Sequence, residues 1–139
     1  MTKLQDLHAI TPKVFKVVTL AKTYIKAQAV IDKEYNIEDG MELFNELSFE
    51  YMEKSNELER NSEIITYLES LSYEEVILIE TLMYIGRDVS KTEENDITEL
   101  VESLFKHLDE GNKNVAIDQM LGKFTLVEYL QQGIEIVGL

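Results

Sequence analysis

The stretch "EEVILIETLMYIGRD", residues 74–88, constrains the fold more than any other part of the chain. Placed on a helix, Val76, Ile77, Leu78, Ile79, Leu82, Met83 and Ile85 point in almost every direction around the axis. A helix that is apolar all round must be covered all round. The spacing therefore predicts a central buried helix at about 73–86, with other helices wrapped around it. Ser72-x-x-Glu75 reads as a capping box at its start, with Leu71 and Val76 where a hydrophobic staple would place them. Gly86 reads as its C-terminal stop.

The remaining pattern is helical too, and a single proline with few alternating β-branched runs points to an all-α chain. Thr11-Pro12 reads as an N-cap followed by proline in the first turn, where its missing N–H costs nothing. From there Val14, Phe15, Val18, Ala21, Tyr24, Ile25 and Val30 recur at helical spacing, predicting a helix over about 12–34 with Lys22, Lys26 and Lys33 on an exposed face. A second helix is expected over about 41–58, with Met41, Phe44, Leu47, Tyr51 and Leu58 on one side. Its other side carries Glu42, Glu46, Glu50, Glu53 and Glu57, a ladder of carboxylates at spacings of three and four residues. "EIITYLESL" predicts a short helix. After a polar loop with Thr92 as cap, a helix over about 93–109 carries Ile97, Leu100, Val101, Leu104, Phe105 and Leu108. "NVAIDQMLG" gives another short helix. Thr125-x-x-Glu128 reads as a second capping box, with Phe124 and Tyr129 as its staple, opening a helix at about 126. The expected architecture is one compact all-α domain over residues 1–139, an orthogonal-type bundle of five to seven helices around the buried one.

Composition removes several chemistries. The chain has no cysteine, which excludes disulfides, thiolate catalysis and cysteine-based zinc sites. Its histidines are His8 and His107, and neither has a glutamate three residues before it, so the Glu-x-x-His pairs of di-metal bundles are missing. No phosphate-cradling glycine motif, Gly-x-Ser-x-Gly elbow or EF-hand loop occurs. No catalytic residue, metal or cofactor is expected. His107 falls at a helix end, where a cation suits the negative pole of the dipole.

Charge is uneven. Residues 1–33 hold six lysines against Asp6 and Asp32, a net +4, and the net −14 of the whole chain leaves −18 for the rest. Such a surface has no basic stripe for nucleic acid and suits a protein that avoids polyanions or imitates one. The two parts complement each other, so a homodimer is a simple expectation, with protein rather than membrane or nucleic acid as partner. With 45% hydrophobic residues the chain is not disordered, yet no run approaches the roughly 18 apolar residues of a membrane span. "KVFKVVTLAK" is broken by lysines and lacks a cleavage site, leaving a bacterial-type cytoplasm as the expected location.

Glu80 stands inside the buried stretch, and Glu80, Tyr84 and Arg87 are spaced to share one helix face, with Gly86 and Asp88 alongside. A buried glutamate is costly unless paired or protonated. It either accepts hydrogen bonds from Arg87, a tyrosine or a neighbouring helix end, or it belongs to a small polar pocket with Arg87 as an anion clamp. No second base can be placed beside it, so an enzyme reading has no mechanism. The sequence favours a non-enzymatic interaction module whose acidic face is Glu42, Glu46, Glu50, Glu53 and Glu57. The alternatives are a regulatory or anti-defence mimic of nucleic acid and a small-molecule pocket near the Gly-Arg-Asp turn.

Three blocks, "ITPKVFKVVTLAKTY", "LSYEEVILIETLMYIGRD" and "AIDQMLGKFTLVEYLQQGIEI", together resemble a bacterial family known as domain of unknown function 3775. Gly86 and Arg87 are similar to that family's Gly-Arg-Gly-Asp-like turn, with Asp88 as its aspartate and one glycine missing. Gly122, Leu126, Tyr129, Leu130 and Gly133 resemble its C-terminal block, while Phe124 and Thr125 depart from a Thr-Pro-like pair. The resemblance implies the order of helices and a shared turn. It implies no reaction.

Overall fold

A computed structural model of the 139-residue chain describes residues 2–35, 46–89, 96–123 and 125–139, with backbone alone at 46–48. Among the described residues there are eight helices and no strand. They are α1 (Lys3–Ala9), α2 (Thr11–Glu34), α3 (Glu46–Asn61), α4 (Glu63–Ser70), α5 (Tyr73–Asp88), α6 (Ile97–Leu108), α7 (Lys113–Leu121) and α8 (Leu126–Val137). The all-α expectation stands, with one more helix than the upper count. The extra one is α1, seven residues long and too short for periodicity to reveal. Thr2 and Gln5 close a reciprocal capping box around its start, and Leu7 anchors it in the core.

The expected central helix is central. In α5 every residue from Val76 to Met83 is buried, as are Ile85 and Gly86. The Ser72–Glu75 capping box forms with both hydrogen bonds. Helices α8, α6, α7 and α1 pack on α5, and the principal neighbours of the long α2 are α3, α4 and α8. The chain does not stop at Gly86: the helix runs on to Asp88 and ends at Val89. Gly86 has another task. A Cβ there would stand 1.7 Å from the Tyr129 carbonyl oxygen, and one on Gly133 would stand 2.4 Å from the Leu82 carbonyl oxygen. The two glycines let the backbones of α5 and α8 touch where they cross.

Other details depart from the expected pattern. Thr11 is not an N-cap; α2 is preceded by Ile10, and the Thr11 hydroxyl donates to the His8 carbonyl at 2.7 Å. With α1 just upstream, that hydroxyl finds a spent helix end to satisfy instead. The buried stripe of α2 is Val14, Val17, Val18, Ala21 and Gln28, whereas Phe15 and Val30 face outward at 48% and 67% exposure. At α8, Thr125 precedes the helix with a backbone already turned toward helical values (φ −94°, ψ 15°), and its hydroxyl makes no capping bond. An extended N-cap backbone is what aims a hydroxyl at the first-turn N–H groups. Thr92, Met41 and Phe44 lie outside the described residues, as does Phe124, and Asp96 caps α6.

Candidate functional site

The covering of α5 is incomplete on one side. Its residues Glu80, Tyr84, Arg87 and Asp88 face Leu104, His107 and Leu108 of α6 and Val115, Ala116 and Gln119 of α7. Glu110 and Asn112, from the turn between those helices, complete the lining. Together they enclose a cleft of about 680 Å³, within the ordinary range for small-molecule sites. Tyr73, at the start of α5, fixes the turn: its hydroxyl donates to Asp109 at 2.7 Å and accepts from the Gly111 N–H at 2.6 Å. Gly111 sits at φ +78°, a left-handed conformation that favours glycine. Asn112 caps α7 by accepting from the Val115 N–H.

Glu80 is 1% exposed, and its Oε2 is buried without a hydrogen-bond partner. Burial pushes its carboxyl up to about 7; Lys123 draws it down and Glu110 adds to the rise. Arg87 does not answer Glu80. Its Nε and Nη2 reach Asp88 Oδ1 and Oδ2 at 2.7 and 2.9 Å, and the guanidinium carbon lies 4.5 Å from the centre of the Tyr84 ring. That fork holds the Asp88 carboxyl below its usual range. Lys123 Nζ also approaches the Tyr84 ring, at 5.4 Å.

The structure therefore brings Glu80, Tyr84, Arg87 and Asp88 to one cleft, while Gly86 faces α8. The residues that α6, α7 and their turn contribute were not foreseen. Only His107, read as a helix-end cation, carried any signal. Among the described residues, no group of three histidines and carboxylates could hold a metal ion.

The acidic face is only partly described. Glu50, Glu53 and Glu57 are exposed on α3, Glu42 lies outside the described residues, and nothing is described of the Glu46 side chain. Among the described residues, Glu50, Glu53 and Glu57 form no ion pair with Lys22, Lys26 or Lys33 of α2. Instead Tyr51 donates to Asp32 at 2.6 Å and Gln28 donates to Asp32 and Ser55, both at 3.0 Å. The α2–α3 ion pair has reversed polarity, Lys54 on Glu34, while Glu50 accepts a long bond from Tyr35.

A family model described as protein of unknown function, DUF3775, matches residues 61–139, more than half of the chain, and the chain belongs to that family. The match spans α4 to α8 and both glycines of the α5–α8 crossing. The similar block near residues 10–24 lies outside it. No curated protein and no solved structure matches the chain.

Proposed function

We propose that this member of the DUF3775 family is a small-molecule-binding domain whose ligand occupies the cleft between α5, α6 and α7. The observation that carries the reading is Glu80. A carboxyl placed on the most buried helix, with one oxygen lacking any donor, is a persistent cost to the fold. Among the other described residues no buried side-chain nitrogen or oxygen lacks a partner; Thr81, for one, donates to Ile77 at 2.7 Å. Polar groups left wanting beside a cavity are a signature of ligand sites. Leu104, Leu108, Val115 and Ala116 supply the apolar walls such a site needs.

The test is a titration of the full chain with chemically mixed fragments, followed by amide NMR shifts. Saturable shifts confined to α5, α6 and α7 support the reading. Val115→Trp, at a residue 43% exposed on the cleft wall, should abolish them without unfolding the protein. Silence from fragments of every class would sink it.

A protein-interaction role is the second reading, and α3 favours it. Phe49 and Met52 stand 74% and 48% exposed beside Glu50 and Glu53. Large exposed apolar side chains grouped among charges mark contact surfaces. If they hold a second copy, sedimentation velocity should show association at rising concentration. The double variant Phe49→Ser/Met52→Ser should then remain monomeric.

A further inference from the structure

Building on the cleft reading, we propose that the ligand is a small organic cation, a primary ammonium group on a short apolar body, with the ammonium bonded to Glu80. Among the described residues, three carboxylates line the cleft, Glu80, Asp88 and Glu110, against one guanidinium, that of Arg87. Arg87 is already held by both oxygens of Asp88. An anionic ligand would meet a guanidinium whose charge Asp88 already balances and would sit near Glu80 and Glu110 as well. A cation meets no such repulsion from the lining carboxylates, and it supplies the opposite charge that a desolvated carboxylate needs. Lys123, which acts on Glu80, stands outside the lining.

The shape of the donor follows from how Glu80 is buried. Its Oε2 is the buried oxygen left without a donor, and a ligand reaching it from the cleft has that single oxygen to satisfy. A guanidinium is best matched by both oxygens of a carboxylate, which it grips as a two-pronged fork, whereas a compact ammonium is matched by one. A bare metal ion lacks the ligands to hold it among the described residues. The body of the ligand must be apolar where Leu104, Leu108 and Val115 face it.

The experiment compares n-butylammonium, n-butanol and n-butyrate by amide NMR titration of the full chain at neutral pH. These probes share a body and differ in head charge. Butylammonium should give saturable shifts around Glu80 and Glu110, with affinity about tenfold or more above the other two, the worth of a charge-assisted hydrogen bond. Glu80→Gln should remove that preference. Because a substitution so deep could disturb the fold, Glu110→Gln, at an exposed residue, is the second variant, and it should weaken butylammonium alone. Equal or tighter binding of butanol or butyrate overturns the cation and leaves the cleft reading standing. So does silence from all three probes while mixed fragments still bind there. Silence from every compound overturns both.

Discussion

At neutral pH the Glu80 carboxyl stands near its midpoint, and this ties stability to pH in a direction opposite to most carboxylates. Its folded value, about 7, lies above the ordinary 4.5. Between those values the unfolded chain has lost the proton while the folded chain keeps it, so stability falls as pH rises through that window. The cost levels off above about pH 7 at roughly 3 kcal/mol. Burial sets most of its size, which Lys123 reduces and Glu110 increases. In urea titrations at about pH 5 and pH 8, Glu80→Gln should lose much of this difference and be the more stable protein at the higher pH. An unchanged pH slope would show that the carboxyl is not desolvated. Gly86 makes a second residue-scale case. Gly86→Ala drives a Cβ into the Tyr129 carbonyl, and neither backbone can yield alone. A loss of about 3 kcal/mol or more is expected by chemical denaturation. Gly111→Ala meets open space and should cost only about 1–2 kcal/mol, for its left-handed backbone.

Helix starts that look alike in the sequence differ in what they contribute. Ser72 and Thr125 both open an S/T-x-x-E pattern, yet only Ser72 makes the capping bonds. Ser72→Ala should lower stability by about 1 kcal/mol, and Thr125→Ala should change it by no more than a few tenths. Equal losses would mean that Thr125 caps α8 in solution. Capping patterns, apolar stripes and breaks were legible because they act within one turn of chain. The stripe of α6 was foreseen residue by residue. That of α2 was not, because Phe15 and Val30 obey the same period as the buried valines, and only the position of α4 and α8 decides which flank is covered.

Across the whole molecule, the positive N-terminal segment and the acidic remainder meet partly within one chain. Lys3 bonds Glu74 at 2.6 Å and stacks its ammonium over Phe105, its backbone N–H donates to Glu102, and Lys13 bonds Glu75. Charge complementarity is thus partly spent on docking α1 and the start of α2 against α5 and α6, before any dimer is considered. Such exposed pairs are individually weak, while 27 acidic residues against 13 basic ones repel over long distances. Raising ionic strength from about 0.01 to about 0.1 M shortens the screening length from about 30 to about 10 Å. The melting temperature should therefore rise; a fall would show that the ion pairs outweigh the repulsion.

From the sequence alone came the class of fold, the identity of the buried helix and its cap, the grouping of Glu80 with Tyr84 and Arg87, and the family resemblance. All depend on neighbours within a few residues, where helical geometry leaves little freedom. Only the tertiary structure decided that Gly86 joins two helices instead of ending one, since a close backbone crossing needs a partner about 45 residues away at Tyr129 and Gly133. Tertiary structure likewise decided that Arg87 turns to Asp88 and leaves Glu80 to a cleft. Which helices flank α5, and how far apart they stand, is set by packing the whole core. A cleft is space left over from that packing, and no local pattern encodes it.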